Sequence, residues 1–167
     1  MISIIFPIYN ERENIKPLLK ALRSVVDAIG EEYELLAIDD GSIDGSFEEL
    51  SEIAKEYKKL KLIHFARNFG QTAALSAGIQ AAKGEILITI DSDLENDPAD
   101  IPKLIAKLKN EKLDVVSGWR VNRWQGNFIS RKLPSMVANY LISNIGGAKL
   151  HDYGCTLKVY RRKVISG

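Results

Sequence analysis

The chain alternates short apolar runs with longer segments in which apolar residues recur every three or four positions. The short runs predict β-strands at Ile2–Phe6, Glu34–Ile38, Lys61–Phe65, Glu85–Ile90 and Asp114–Ser117. The longer segments predict α-helices at Glu13–Ile29, Ser46–Tyr57, Gln71–Ala82 and Ile101–Asn110. Such regular alternation is typical of an α/β fold, in which a mostly parallel sheet has helices on both faces and right-handed crossovers.

Polar, charged or Gly-rich residues follow every predicted strand. These five strand tips are Pro7–Glu11, Asp39–Ser42, Ala66–Gln71, Asp91–Glu95 and Gly118–Arg120. Open parallel sheets bind ligands beyond the carboxyl ends of their strands. We therefore expect the tips to converge on one site.

The pattern changes after Arg120. Val121–Ile129 is interpreted as a loop carrying Trp124 and Phe128, and Ser130–Ile145 as a helix. The apolar positions of that helix fit either a core-facing helix or one lying at a membrane surface, where the two aromatic residues would add anchors. An apolar–polar alternation through Tyr160 ends the pattern.

The amino-acid composition and charge argue against one class of protein. The 167 residues are 46% hydrophobic and 27% charged, with a formal net charge of +1, whereas nucleic-acid-binding proteins usually carry a strong basic excess.

The single cysteine and the lengths of the apolar runs bear on location. Cys155 is the single cysteine, so no internal disulfide forms, and a reducing cytoplasmic location fits. We interpret it as a small core residue rather than a nucleophile. No apolar run reaches 18 residues, and the N-terminus resembles a strand rather than a signal peptide.

The fourth strand tip concentrates negative charge, with carboxylates at Asp91, Asp93, Glu95 and Asp97. A solvated acidic loop is one interpretation. An EF-hand calcium loop is a second, but Asn96 stands where that loop needs glycine and Pro102 where it needs glutamate. We favour a third, in which Asp91 and Asp93 hold Mg²⁺ or Mn²⁺ that binds a substrate diphosphate. The dinucleotide fingerprint GxGxxG and the phosphate-binding loop GxxxxGK[ST] are both absent.

Six motifs in order, PIYNE, DDGSID, RNFGQ, DSDLEND, SGWR and DYGC, resemble those of the inverting family 2 glycosyltransferases of GT-A fold. Within that family they look like the branch that charges a polyprenyl phosphate carrier, which includes dolichol-phosphate mannose synthase and undecaprenyl-phosphate aminoarabinose-type transferases. The resemblance covers essentially the whole chain. One departure is Glu95, which stands where the family usually has glutamine.

The resemblance implies a GT-A (Rossmann-like) three-layer sandwich and a role for each matching residue. The implied nucleotide-binding residues are Pro7, Tyr9, Asn10, Glu11, Asp39, Asp40, Arg67 and Asp91. Asp91, Asp93 and Glu95 would bind the metal, Mg²⁺ or Mn²⁺. The implied catalytic residues are Asp93, Arg120, Arg131 and Asp152. Of these, Arg120 and Arg131 would grip the acceptor phosphate, and Asp152 would position groups or contact the donor sugar.

The implied reaction moves a sugar from a nucleotide diphosphate sugar, with UDP favoured, to a polyprenyl phosphate. Two alternatives stay open: a family 2 transferase acting on a saccharide hydroxyl, with Asp152 as base, and a non-catalytic nucleotide-sugar-binding domain. We expect residues 1–167 to form a single catalytic domain, truncated before a C-terminal membrane-associating segment. The full-length protein would be peripheral on the cytoplasmic face of the membrane or carry transmembrane helices. A homo-oligomer is compatible with the sequence.

Overall fold

The computed structural model describes residues 1–119 and 155–165. Its strands are β1 (Ile2–Ile8), β2 (Tyr33–Asp39), β3 (Leu60–His64), β4 (Ile86–Thr89), β5 (Val115–Ser117) and β6 (Lys158–Arg161). Its helices are α1 (Arg12–Ile29), α2 (Ser46–Glu56), α3 (Gln71–Ala81) and α4 (Ile101–Asn110). All five predicted strands and all four predicted helices are confirmed, with ends that differ by a few residues.

The strands form one sheet in the order β3-β2-β1-β4-β6-β5. β1 pairs in parallel with β2 on one side and with β4 on the other, and β2 pairs in parallel with β3. The chain order therefore reverses direction between β1 and β4, which opens a crevice at the carboxyl ends of these two strands. The predicted mostly parallel sheet is confirmed, and the crevice is where a ligand is expected.

β6 is the strand that the sequence pattern did not predict as such. It lies antiparallel between β4 and β5, with Val159 facing Ile88 on one side and Val116 on the other. Hydrogen bonds fix its end: Arg161 Nε donates to the carbonyl of Leu113 at 2.9 Å. Four residues of apolar–polar alternation are compatible with a strand, but nothing local tells which neighbours it joins.

Alternate residues of the central strands face two separate cores. Ile4, Phe6 and Ile8 of β1 pack in the larger core, which α1, α2 and α4 cover. Ile5 lies on the opposite face, in a smaller core with Ala74 of α3. Helices therefore cover both faces of the sheet, as strands buried on both sides require. Among the described residues, no helix combines the length and apolarity needed to cross a bilayer.

A buried carboxylate ties three chain segments together at the amino edge of the sheet. Glu34 is 4% exposed. It accepts hydrogen bonds from Ser3 Oγ at 2.6 Å, from Lys61 Nζ at 2.5 Å and from the backbone N–H of Lys83 at 2.6 Å. Burial opposes ionisation, but the hydrogen bonds from Lys61, Ser3 and Lys83 outweigh it and lower the pKa of Glu34. The charged form of Glu34 therefore stabilises the fold.

Candidate active site

A cleft of about 310 Å³ lies at the crevice between β1 and β4. Residues at the carboxyl ends of the first four strands, or in the loops that follow them, line it. The lining residues are Pro7, Ile8, Tyr9, Glu11, Asp40, Asn68, Gly70, Gln71, Asp91, Ser92 and Asp93. Four of the five predicted strand tips thus meet in one place, as the parallel order of β1 to β4 requires.

The tips of β1 and β2 are joined by reciprocal hydrogen bonds. Asn10 donates its backbone N–H to Ser42 Oγ at 3.0 Å, and Asn10 Oδ1 accepts from the N–H of Ile43 at 2.9 Å. Asp44 Oδ2 accepts from the N–H of Arg12 at 3.1 Å. The side chain of Asn10, predicted to bind the nucleotide, is thus used to hold one loop against the other and is not among the residues that line the cleft.

Asp40 fixes the third strand tip and is itself part of the cleft wall. It is 2% exposed. Its two carboxylate oxygens accept the backbone N–H groups of Phe69 and Gly70, each at 2.8 Å. Hydrogen bonds from two N–H groups to one carboxylate are strong because the acceptor is charged. Asp40 therefore sets the start of α3, which begins at Gln71.

Gly41 allows this contact because the backbone of the third tip passes directly over it. Its φ is +71°, and a Cβ there would lie 2.4 Å from the carbonyl carbon of Arg67. We expect Gly41→Ala to displace residues 67–70 and to lower the free energy of unfolding by about 2–3 kcal/mol. The nucleotide binding that the resemblance implies should weaken at least about tenfold. Urea unfolding and UDP titration measure both effects.

Gly30→Ala is the matched control for that substitution. Gly30 has nearly the same φ, +72°, but a Cβ there would meet nothing within 4 Å. Gly30→Ala should lower the free energy of unfolding only by the backbone strain, about 1 kcal/mol, and should leave nucleotide binding unchanged. Equal losses of nucleotide binding in the two variants would contradict the role given to the Gly41 contact.

Asp39 and Arg67, both predicted to contact the nucleotide, are not among the residues that line the cleft. Asp39 is fully buried, and its Oδ2 lies 2.7 Å from His64 Nδ1. Its Oδ1 is buried and lacks a hydrogen-bond partner within the described chain. The guanidinium of Arg67 stacks over the ring of Phe69 at 4.4 Å from the centroid. In this structure Asp39 therefore bonds to the end of β3, and Arg67 packs against a residue of its own tip.

The acidic tip contributes two carboxylates to the cleft, from Asp91 and Asp93. Asp91 Oδ1 accepts from Gln71 Nε2 at 2.5 Å, and Asp93 Oδ1 accepts from the N–H of Glu95 at 2.9 Å. Glu95 itself is exposed and does not line the cleft. Within residues 1–119 and 155–165, no three acidic, histidine or cysteine side chains are grouped to hold a metal. Two carboxylates nevertheless fit Mg²⁺ or Mn²⁺, which takes further oxygen ligands from phosphate and water.

Gln71 is a cleft residue that sequence reasoning did not single out. It is the first residue of α3, and its amide reaches Asp91 across the cleft. The signal in the sequence was its place at the end of the RNFGQ tip, directly before a helical pattern.

Some predictions lie outside the described residues. They are the acceptor-binding residues Arg120 and Arg131, the residue Asp152, and the predicted helix Ser130–Ile145.

The sequence of this chain is similar to those of known proteins. The profile of Glycosyl transferase family 2 matches residues 3–167. Dodecaprenyl-phosphate galacturonate synthase of Rhizobium johnstonii is 44% identical over 165 residues, which are 98% of this chain and 48% of that protein. The chain thus spans about half the length of this curated relative.

Solved structures share the fold at lower identity. Glucosyl-3-phosphoglycerate synthase from Mycobacterium tuberculosis, in complex with Mn²⁺, UDP and glucosyl-3-phosphoglycerate, has a TM-score of 0.72 at 20% identity, over 98% of this chain and 57% of that one. A mannosyltransferase from Pyrobaculum calidifontis, in complex with GDP-Man and Mn²⁺, has a TM-score of 0.65 at 18% identity, over 98% of this chain and 45% of that one. The GT-A fold is thereby confirmed, and the chain belongs to glycosyl transferase family 2.

Proposed function

We propose that this chain is the catalytic domain of an inverting glycosyltransferase that moves a sugar from a nucleotide diphosphate sugar, UDP-sugar favoured, to a polyprenyl phosphate. The observation that carries the proposal is the pair Asp91 and Asp93 on the wall of the cleft at the β1–β4 crevice. The curated relative, named as a dodecaprenyl-phosphate galacturonate synthase and 44% identical, supports the choice of acceptor.

The donor diphosphate is assigned to the acidic side of the cleft. Asp91 and Asp93 would hold Mg²⁺ or Mn²⁺, and the bound ion would neutralise the charge that grows on the leaving diphosphate. Gln71 orients Asp91 through the 2.5 Å hydrogen bond. Glu95 remains a proposed ligand only if its side chain turns towards the cleft. Structural neighbours solved with Mn²⁺ and either UDP or GDP-Man are consistent with this choice of cofactor.

The nucleotide base and ribose are assigned to the opposite side, at the tip of β1. Pro7, Tyr9 and Glu11 line this part of the cleft. Tyr9 is 46% exposed, so its ring is free to stack on a base. Asp40 keeps the cleft wall in place through its two backbone hydrogen bonds. We assign supporting roles to Asn10, Asp39 and Arg67, because none of them lines the cleft and each contacts another residue of this chain.

With a phosphate as the acceptor, the proposed transfer would need no general base. The second pKa of a phosphate monoester is about 6, so the acceptor is already a dianion near neutral pH. It requires charge compensation and orientation, which the planar guanidinium of arginine supplies. We assign this task to Arg120 and Arg131, and a positioning or sugar-contacting role to Asp152. Because a polyprenyl phosphate lies in a membrane, we propose that the protein acts at a membrane surface, and we keep the cytoplasmic face as its proposed side.

A thermal-shift panel tests the donor part of the proposal. UDP, GDP, CDP and ADP are each added with and without Mn²⁺, and the unfolding temperature is measured. At 100 times its dissociation constant, a ligand adds about 2.7 kcal/mol of stability. We expect UDP to stabilise the protein strongly only when Mn²⁺ is present. Equal stabilisation with and without Mn²⁺, or none by any nucleotide, would contradict the proposal.

The acceptor part is tested by offering a UDP-sugar with undecaprenyl phosphate or with a free saccharide. Product on the lipid phosphate supports the proposal. The alternative transferase, which would use Asp152 as a base on a saccharide hydroxyl, predicts product on the saccharide and a greater loss from Asp152→Asn than from Arg131→Ala. We expect the reverse order of the two losses, measured as initial rates.

A further inference from the structure

The acidic loop of the cleft, residues 91–97, contains a backbone conformation that needs outside support. Leu94 has a φ of +62°, in the left-handed region that side chains other than glycine rarely adopt. Its side chain is 39% exposed, so it gains little from burial. Strained residues of this kind persist only where the surrounding structure over-determines them, and Leu94 lies directly beside Asp93.

Asn96, on the inner side of the same loop, is placed to give such support. Asn96 is 4% exposed, and its Oδ1 accepts a hydrogen bond from the thiol of Cys155 at 3.3 Å. Cys155 is itself 1% exposed. The contact therefore joins the acidic loop to a distant part of the chain, the segment that leads into β6.

That segment is rigidly attached to the sheet. Thr89 Oγ1 of β4 donates to the carbonyl of Thr156 at 2.6 Å, and the N–H of Gly118 donates to the carbonyl of Leu157 at 2.8 Å. The two residues after Cys155 are thus bonded to the ends of β4 and β5. Because these hydrogen bonds hold the neighbours of Cys155 against the sheet, its thiol gives Asn96 a fixed point of attachment.

The amide group of Asn96 is poorly matched to a buried position. Its Nδ2 is buried and has no acceptor in the part of the chain that the structure describes. A buried donor without an acceptor is unfavourable, and an apolar residue of similar size would avoid the loss. The bond of Asn96 Oδ1 to the thiol of Cys155 is therefore the described contact that favours asparagine here.

We propose that Asn96 and Cys155 form a positioning pair that holds the acidic loop so that Asp93 faces the metal and diphosphate. The inference rests on the proposed function, since it concerns the same cleft. Neither residue lines the cleft, so neither is expected to touch the donor. They act through the loop, as partners outside the ligand shell commonly do at metal sites.

The test compares Cys155→Ala with Cys155→Ser, because serine keeps a hydrogen-bond donor and alanine does not. The measured quantity is the Mn²⁺ concentration that gives half-maximal UDP binding, at a temperature well below unfolding. We expect it to rise about tenfold in Cys155→Ala, in line with other losses outside the ligand shell, and to change less than about threefold in Cys155→Ser. Asn96→Ala should match Cys155→Ala, and the double variant should add nothing further.

A second readout needs no metal. Hydrogen exchange of the Glu95 amide, which is bonded to Asp93 Oδ1, should be faster in Cys155→Ala than in the wild type and close to wild type in Cys155→Ser. Val26→Ala serves as the control, because Val26 is equally buried but lies near the C-terminal end of α1. It should lower the unfolding temperature and leave both the Mn²⁺ dependence and the exchange of Glu95 unchanged.

The outcomes of these experiments distinguish a failure of the positioning role from a failure of the proposed function. If the wild type binds UDP with Mn²⁺ and Cys155→Ala shows the same Mn²⁺ dependence, the positioning role is wrong while the proposed function stands. The positioning role is also wrong if Cys155→Ser behaves like Cys155→Ala, or if Val26→Ala shifts the Mn²⁺ dependence equally. If the wild type shows no metal-dependent UDP binding, the proposed function is overturned, and this inference with it.

Discussion

Replacing Asp93 by asparagine is expected to remove the Mn²⁺-dependent part of UDP binding and to lower sugar transfer by about 10²–10³-fold, a loss typical of removing one electrostatic stabiliser of a transition state. Asparagine keeps the acceptor oxygen that binds the N–H of Glu95 at 2.9 Å, so the turn of the loop should survive. The charge is what the substitution removes. UDP titration at several Mn²⁺ concentrations and initial rates of transfer measure the two effects.

Asp97→Asn provides a control with the same local geometry. Asp97 Oδ1 also accepts a backbone N–H two residues ahead, from Ala99 at 2.9 Å, but Asp97 does not line the cleft. We expect wild-type UDP binding and transfer in this variant. If both asparagine variants lose activity equally, the general negative charge of the loop would matter rather than a ligand role for Asp93.

Glu34→Gln is expected to lower the free energy of unfolding by about 2–3 kcal/mol at pH 7, as much as Gly41→Ala. Glutamine preserves size and one acceptor oxygen but replaces the oxygen that faces Lys61 by a donor group. Hydrogen bonds to charged groups contribute about 1.5–3 kcal/mol each. Since Glu34 is 4% exposed, water cannot replace the lost partner. Urea unfolding of the two proteins measures the difference.

The pH dependence of that difference has a definite sign. The pKa of Glu34 is lowered from its ordinary value of 4.5 in the folded protein. Its contribution is therefore fully present above pH 4.5 and is lost as the pH falls through the lower folded pKa. We expect the wild type and Glu34→Gln to converge in stability at acidic pH. A gap that does not shrink at all as the pH falls below 4.5 would show that shape, and not charge, causes the loss.

Glu52→Gln is the control for an ordinary ion pair. Glu52 lies 2.5 Å from Lys55, but its side chain is 72% exposed, so water competes for both charges. Pairs of this kind contribute about 0–1 kcal/mol. We expect a change in the free energy of unfolding below about 0.5 kcal/mol at every pH.

The first five strands and the four helices were predictable, because each depends on local periodicity, and their alternation indicated the edge of the sheet that holds the site. The run Ile2–Ile8 is buried along its whole length, and α1 shows a single apolar stripe, so their patterns are unambiguous. Parallel order then brings the strand tips together without further information. Asp40 and Asp91 reach the cleft for this reason.

The direction of individual side chains within the tips was not predictable. Asn10, Asp39 and Arg67 stand beside cleft residues in sequence, yet none of them lines the cleft. Asn10 bonds to the tip of β2, Asp39 to His64 of β3, and Arg67 stacks on Phe69 of its own tip. Gln71 reaches Asp91 only because α3 begins at that residue. Likewise β6 depends on contacts with β4 and β5 that no short pattern encodes. All of these depend on tertiary packing.

The insertion of β6 between β4 and β5 has a consequence for how the protein reaches its native state. When synthesis has passed β5, the outer edge of β4 is still unpaired, because its partner, Lys158–Arg161, comes much later in the chain. An open strand edge is a template for pairing with other chains. We therefore expect the nascent protein to be most prone to association after β4 has been made and before β6 pairs with it.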